Sequence, residues 1–506
     1  MKKRTVVAIL VVFLAVSTYA QTASFLDLVR TGTPGDVQTA IDKGAKANAQ
    51  DKDGNTALMM ASGYNTKAEV ITVLLKAGAN IEVRAKSGNS ALAWAAWNNT
   101  NSDVITALLK AGADFKARDD LGNTALTWAA GTNQNAEVTA ALLKAGADVN
   151  AMNNNGVTAL MAASGSNTNE AVTATLLRAR ANFKARDKAG NTALIYAASK
   201  NQNPKVISAL LKGGADVNDH GQDDWTPLAL AANGGRAEIA KMLIASGADV
   251  NVKMGSFEAT ILQQAANADV VRLLLEAGAA LEGTDKDGRT ALMIASTVGR
   301  TDVVRSLITH GASVNARSKN GYVSLMYAAG EGHLDTAVAL LDAGADVNAS
   351  TNDGVTVLMD CAAHQQAEAI ALLLGHGAET NAKDKNGHTA LIYAERTGNK
   401  AVIDLLADGD GREAIKRLEE ATPGATAPGD LDPRLSSLRQ GMTMDEARSA
   451  VGVPPNKVTS SEQYAQWTFM RKDGSTVILV FENMGTKNGV ADWRLGGWQT
   501  RERTGS

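Results

Sequence analysis

The chain has 506 residues with 50 basic and 53 acidic side chains, and its net charge of −3 excludes the strong basic signature of nucleic-acid or anionic-lipid binding. Aromatic residues make up only 4% of the sequence, which favours thin helices that pack closely. The only cysteine is Cys361, so no internal disulfide forms and packing must stabilise the fold. Other parts of the chain carry alanine at the corresponding position, which predicts that Cys361 is a small buried core residue.

The N-terminus has the composition of a signal peptide. Basic residues 2–4 precede an apolar run over 5–16, and small residues at 18–20 offer a cleavage site before Gln21. We therefore predict that residues 1–20 are a signal peptide and that the protein is exported, to the periplasm or else secreted. The apolar run is shorter than the roughly 20 residues of a membrane span, so we expect no transmembrane segment after cleavage.

A leucine recurs at a fixed spacing through the next 350 residues, mostly inside the phrase Gly-x-Thr-Ala-Leu. A second phrase, Gly-Ala, keeps the same register. A constant period of this length is typical of stacked repeats that bury their apolar faces against each other. The spacing is 34 residues over the first six leucines and 33 over the last four: Leu58, Leu92, Leu126, Leu160, Leu194, Leu228, then Leu292, Leu325, Leu358 and Leu391.

One repeat, residues 111–146, shows the predicted unit. Gly122 lies in a polar turn that favours a positive φ, and Thr124 is placed to cap a first helix that begins at Ala125. An apolar stripe at helical spacing over 138–143 predicts a second helix. Gly146 follows that helix, where a left-handed conformation costs glycine little. Each unit is thus a turn, a helix, a loop and a second helix.

This unit resembles the ankyrin repeat, on the Gly-x-Thr-Ala-Leu phrase, the Ala-Ala pair after it, and the Leu-Leu before Gly-Ala. The resemblance covers residues 24 to 408 and implies a mainly α solenoid of about twelve helix pairs within 21–420, with atypical terminal units as caps. It also implies a non-enzymatic protein that binds another protein on the concave surface of turns and first helices. The proline of the Thr-Pro-Leu-His form is kept only at Pro227, and no unit has the histidine.

Two columns of asparagine separate the helices of units two to six. We predict that the second column caps second helices, because Asn203 precedes a proline. The first column is predicted either to end first helices in a left-handed conformation or to present a polar strip to backbone or sugar hydroxyl groups. The first Asn column is Asn65, Asn99, Asn133, Asn167 and Asn201, and the second is Asn101, Asn135, Asn169 and Asn203.

Other candidate contact residues lie on the turns and at the end of one first helix. Lys52, Lys86 and Asn89 occupy turns, where such arrays carry exposed specificity residues. Trp97 follows an Ala-Ala pair where neighbouring units have glycine, so we expect it to be exposed. Rings two residues after the key leucine are predicted to be core. The partner-binding prediction comprises Lys52, Lys86, Asn89, Trp97 and the first Asn column.

Three residues break the pattern: Arg180 replaces a glycine, Gln263 an apolar residue and Asp360 an aromatic one. Drift in a redundant repeat, a bend, or a local binding site would each account for them. The six histidines give no metal cluster, and no phosphate loop or nucleophile elbow is present. We therefore predict no enzymatic activity, no cofactor and no metal.

A change of composition marks a second module. Residues 421–434 read as a Pro/Gly/Ala linker, and a helix from Thr443 to Gly452 with three antiparallel strands is predicted within a small α+β domain over 435–500, before a tail at 501–506. The strands are predicted over 464–470, 475–481 and 490–498. Gly441-Met442-Thr443, the residues 451–454 and Trp467 resemble the SmpA/OmlA (BamE-like) family, which implies envelope association and protein binding.

These features together predict an exported protein–protein interaction scaffold with a C-terminal envelope-associated binding module. Two alternatives remain at this point. One is an inhibitor or immunity-type protein that occludes a single enzyme, and the other is a glycan-binding or enzymatic protein that uses the Asn columns.

Overall fold

The computed structural model describes residues 22 and 24–407 and, for their backbone, the strand residues 457–460, 464–470, 476–487 and 490–501. The predicted signal peptide, linker 421–434 and helix from Thr443 to Gly452 lie outside the described residues. Contacts divide the chain into two compact units, residues 1–360 and 361–506. Within the described part, no helix has the length and apolar character needed to cross a bilayer.

Helix pairs repeat along the described chain, and we number them as units 1 to 12. The first helices are α1 (24–31), α3 (Ala57–Tyr64), α5 (Ala91–Asn98), α7 (Ala125–Thr132), α9 (Ala159–Ser166), α11 (Ala193–Lys200), α13 (Pro227–Asn233), α16 (Ala291–Thr297), α18 (Ser324–Gly330), α20 (Val357–Ala363) and α22 (Ala390–Thr397). The second helices are α2 (Pro34–Asp42), α4 (Ala68–Lys76), α6 (Ser102–Lys110), α8 (Ala136–Lys144), α10 (Glu170–Arg178), α12 (Pro204–Lys212), α14 (Ala237–Ala245), α15 (Ala268–Glu276), α17 (Thr301–Thr309), α19 (Leu334–Asp342), α21 (Ala367–Gly375) and α23 (Lys400–Ala407).

Unit 8 is the exception, because a single 3-10 turn at Leu262–Gln264 replaces its first helix before α15. Its finger, the polar turn that precedes each pair, is also different. It forms a two-stranded antiparallel ladder of β1 (Lys253–Met254) and β2 (Ala259–Thr260). The described chain therefore contains eleven α-helical pairs and one shortened pair, in agreement with the prediction of about twelve.

The first compact unit consists of two helical layers. First helices pack on first helices, as α3 does on α5 and α5 on α7, and second helices form a parallel row in which α4 packs on α6. Leu58 and its counterparts are buried between the layers, as are Val70, Ile71 and Leu74 of α4. Burial of such side chains stabilises the stack by about 1.5–3 kcal/mol each.

The local signals predicted from the sequence are present. Thr124 caps α7, since its hydroxyl accepts a hydrogen bond from the amide of Thr127 at 3.3 Å. Gly122 and Gly146 have φ values of +80° and +98°. Adjacent fingers are joined by backbone bonds, such as the 2.9 Å bond from Lys86 N to the carbonyl of Asp53. The fingers therefore stack in step with the helices.

In the second compact unit, four strands form one antiparallel sheet in the order β3-β4-β5-β6. The strands are β3 (Lys457–Ser460), β4 (Tyr464–Met470), β5 (Thr476–Lys487) and β6 (Val490–Arg501). Three were predicted at these positions, and β5 and β6 extend further than predicted. The additional strand β3 pairs with β4 in a register that places Lys457 opposite Thr468.

Candidate functional site

The predicted turn residues lie at the surface. Lys52 and Lys86 are exposed on the fingers of units 2 and 3, and Asn89 is half-buried at the base of the second of these fingers. The Asn89 amide donates to the hydroxyl of Ser87 at 3.1 Å. Both lysines are therefore accessible to a partner, whereas Asn89 also shapes its own turn.

The first Asn column is buried, and its side chains join one unit to the next. The Asn133 amide donates to the carbonyls of Ala96 at 3.1 Å and Asn99 at 2.7 Å, and its oxygen accepts from the amide of Asn135 at 2.9 Å. Those carbonyls belong to the end of α5, where a helix leaves its last C=O groups without internal partners. Each member of the column thus caps the first helix of the preceding unit.

This geometry corrects two expectations about the first Asn column. The backbone is extended and not left-handed, with φ −83° at Asn133, because the side chain must reach back to the previous unit. The residues are also too buried to contact a partner. Relative exposures are 2% for Asn65, Asn99 and Asn201, 3% for Asn133 and 0% for Asn167.

The second Asn column is confirmed as a set of helix N-caps. The Asn135 side chain accepts from the amide of Glu137 at 3.0 Å at the start of α8. Its amide donates in addition to the carbonyl of Thr100 in the preceding unit at 2.7 Å. The two columns together supply the polar groups that the helix ends and the inter-helix loops require.

Trp97 belongs to a cluster of rings, which we call the aromatic patch: Tyr64, Trp94, Trp97 and Trp128. Successive ring centroids are 6.0, 5.6 and 5.3 Å apart in that order. The Arg30 guanidinium lies 4.3 Å from the centre of the Tyr64 ring and extends the cluster into unit 1. Distances of this size are those of favourable ring–ring and cation–π contacts.

The exposure of Trp97 has a steric cause. Neighbouring units have glycine at its position, and a Cβ on Gly63 would lie 3.2 Å from the Trp94 ring of the next unit. The next unit after Trp97 carries Trp128 at that place, so the Trp97 indole stacks on it and turns outward. Trp97 is 37% exposed, which confirms the prediction from the sequence. Tyr64 is 41% exposed, which was not predicted.

Two further apolar side chains project from the fingers of units 4 and 5. Leu121 is 61% exposed and Met152 44%. The Trp128 indole donates to the Asp119 carboxylate at 2.9 Å, and this carboxylate also accepts from the backbone of Leu121 at 2.9 Å. These bonds connect Trp128 of the aromatic patch to the finger of unit 4. The signal for Leu121, an apolar residue in an Asp-Asp-x-Gly-Asn turn, was visible in the sequence.

Each of the three pattern breaks occupies a defined place in the structure. Arg180 adopts the left-handed conformation with φ +63°, as its position predicts. Gln263 is buried and completes a capping box, since its side-chain oxygen accepts from Thr260 N at 2.7 Å and its backbone N–H donates to the Thr260 hydroxyl. Asp360 and Cys361 are buried, and burial together with the Asp360 charge raises the pKa of Tyr322.

Among the described side chains, no group of three or more His, Cys, Asp or Glu residues is arranged to hold a metal ion. The geometry that stands out is instead a set of exposed rings and apolar finger residues on a closely tied helical platform. Such a patch is the kind of surface that binds another macromolecule.

Comparison with protein families agrees with this architecture. A family model described as ankyrin repeats (3 copies) matches residues 27–119, 101–187, 164–254, 255–318 and 325–416. The matches include most of the chain and end before the predicted C-terminal module. The search of curated proteins found no match.

Proposed function

We propose that this chain, which belongs to the ankyrin-repeat family, is an exported scaffold. Its partner protein would bind the aromatic patch and the adjacent fingers. Ankyrin repeats are protein–protein interaction scaffolds. The observation that carries the location is the exposure of four large apolar side chains within units 2 to 5, where the others are buried or half-buried: Tyr64, Trp97, Leu121 and Met152.

The chemistry of these residues suits a protein partner. Tryptophan and tyrosine dominate the binding energy of interfaces because a large rigid ring is buried at a low cost in conformational entropy. Lys52 and Lys86 are exposed on the fingers of the same units and would form a polar rim. The inter-unit bonds of the first Asn column hold the platform in place, which limits the ordering cost of binding.

Export and the second module complete the proposal. The basic, apolar and small-residue segments of 1–20 support export to the periplasm. The resemblance of 435–500 to SmpA/OmlA proteins supports a C-terminal module that binds the envelope or a second protein. Neither module carries a feature of an enzyme in the sequence, and the buried first Asn column offers no polar strip to a glycan.

The experiment is site-specific photo-crosslinking in intact cells. A photoreactive residue is placed at Trp97, at Leu121, or at Lys110, which is exposed on the second helix of the Trp97 unit and serves as the matched control. The same protein captured from positions 97 and 121 and not from 110 supports the proposal. Equal capture from all three positions, or none from 97 and 121, refutes it.

A truncation after residue 422 tests the second module separately. If this variant is still exported and still crosslinks at position 97, the repeats alone bind the partner. Loss of envelope co-fractionation in the truncated protein, with crosslinking unchanged, assigns envelope association to the C-terminal module. Unchanged co-fractionation would remove that part of the proposal.

A further inference from the structure

A second surface feature lies between units 6 and 7, away from the aromatic patch. A cleft of about 400 Å³ opens between α11 and the finger that precedes α13, and its volume falls in the range of ligand pockets. Its walls include the rings of Tyr196 and Trp225 and the apolar side chains of Ile195 and Leu230. We call it the polar cleft, because its rim consists of amide, hydroxyl and charged groups.

The polar cleft exists because unit 7 has smaller side chains than unit 6 at two positions. Leu230 occupies the position where units 3, 4 and 6 carry Trp94, Trp128 and Tyr196. Gly221 occupies the position of Asp187, the carboxylate that accepts the Tyr196 hydroxyl bond at 2.8 Å in unit 6. A Cβ at Gly221 would lie 2.3 Å from the Asn191 side-chain oxygen, so a larger residue there would displace the Asn191 side chain from its present position in the cleft wall.

The finger of unit 7 also holds an uncommon backbone. Asp223 and Asp224 are consecutive residues with φ values of +52° and +58°, a region that costs residues other than glycine free energy. In the fingers of units 2 to 6 the left-handed residue is a glycine. Strained residues of this kind concentrate at ligand sites, and Asp223 lines the polar cleft.

The polar groups of the rim are available for a ligand. Within residues 24–407, the side chains of Ser199, Gln222, Asp223 and Asn233 make no hydrogen bond to the protein. Lys200 contributes an ammonium group, which lies 5.3 Å from the centre of the Tyr196 ring. One cation and one anion line the cleft, so the lining has no net charge, and this disfavours phosphates and other ions as ligands.

We propose that the polar cleft binds a neutral pyranose ring of a saccharide. The flat C–H faces of such a ring pack on aromatic side chains, and each hydroxyl group both donates and accepts. Trp225 and Tyr196 supply the rings, Asp223 supplies an acceptor, Lys200 a donor, and the amides of Gln222 and Asn233 both kinds. This site is independent of the aromatic patch, and either proposal can fail alone.

The test is isothermal titration calorimetry of the full mature chain with cellotetraose, maltotetraose and chitotetraose. We expect saturable binding of at least one of them. Asp223→Gly removes the carboxylate and relieves the left-handed strain, so affinity should fall about tenfold or more while the thermal midpoint stays equal or rises. Leu230→Tyr restores the ring that units such as unit 6 carry, and should fill the cleft and abolish binding.

The matched control is Asp53→Gly, at the same finger position in unit 2, which should leave saccharide affinity unchanged. The proposal is overturned if none of the three saccharides binds at millimolar concentration. It is overturned equally if Asp223→Gly and Leu230→Tyr bind as the unmodified chain does, or if Asp53→Gly weakens binding as much as Asp223→Gly. Binding of inorganic phosphate in preference to the saccharides would also refute it.

Discussion

Replacement of one member of the first Asn column should uncouple two units of the stack. Asn133→Ala removes two donated bonds, to Ala96 and Asn99, and one accepted bond, from Asn135 N. At a net value of about 1 kcal/mol per bond the loss is about 3 kcal/mol, and it rises to about 6 kcal/mol if the buried carbonyls and the amide stay without partners. Because Asn133 is 3% exposed, water cannot replace these bonds without local opening.

The effect should be local, because repeat stability is a sum of unit and nearest-neighbour interface terms. Hydrogen exchange followed by mass spectrometry would report the opening free energy segment by segment. We expect faster exchange across α5 and α7, the helices joined by Asn133, and little change beyond the neighbouring units. Urea unfolding of the full chain, analysed transition by transition, would give the total loss.

Asn135→Ala is the matched control, because two residues away it removes an N-cap and an inter-unit bond to Thr100 that are both exposed to water. That change should cost about 0.5–2 kcal/mol. If Asn133→Ala proves no more destabilising than Asn135→Ala, the buried inter-unit bonds contribute little. If its exchange effect spreads evenly over all twelve units, the first Asn column does not act between neighbours. Either result would refute the reasoning.

Three other predictions concern the described residues. Arg180→Gly should stabilise the protein to urea by about 1 kcal/mol, since φ is +63° there; a lower midpoint would contradict this. Burial of the Asp384 carboxyl acts to raise its pKa, but bonds from the His388 backbone, the Tyr393 hydroxyl and the His388 ring outweigh it and hold the pKa at about 2. Because the pKa in the folded state lies below the ordinary value of 3.8, the stabilisation from Asp384 is complete above pH 3.8 and is lost as the pH falls toward 2. Hydrogen exchange over 384–393 should therefore become faster in that pH window. Asp384→Asn should remove this pH dependence. Cys361 is 0% exposed, so a thiol reagent should label it only at the rate of local opening; rapid labelling of the native protein would contradict its burial.

The regular part of this fold is readable from the sequence because each signal is local. Thr124 precedes the helix that it caps, and Gly146 follows the helix that it ends. The second Asn column was predicted for the same reason, since an N-cap bonds to its own helix. By contrast, strand β3 (Lys457–Ser460) has only four residues and no clear alternation of apolar residues. It was not predicted.

The exposure of Trp97 was predicted from the sequence, but its packing partners, the role of the first Asn column and the polar cleft were not. These features depend on pairs of residues about one repeat apart. Trp97 is exposed since Trp128, 31 residues further on, occupies the space beside it. The role of Asn133 depends on carbonyls 34 and 37 residues earlier in the chain. The polar cleft forms because Gly221 and Leu230 replace the larger side chains that unit 6 has at these positions, Asp187 and Tyr196. Such features emerge only when each register is compared between neighbouring units.

The repeat period changes from 34 to 33 residues in unit 7, and the side chain that joins neighbouring units changes there as well. After Asn201 the first Asn column ends, yet the first helices still need partners for their last carbonyls. Arg236 then donates to the carbonyl of Ala198 at 2.7 Å, and His333 to that of Thr297 through Nε2 at 3.0 Å. In the units of Arg236 and His333 the first helix is one residue shorter than in units 2 to 6, and the longer side chains of these two residues make the bond to the preceding unit that asparagine makes in units 2 to 6. The Arg236 bond joins units 6 and 7, which are also the two units that line the polar cleft. Units 2 to 6 therefore form a uniform platform for the aromatic patch, and the first departure from that uniformity coincides with the second proposed binding site.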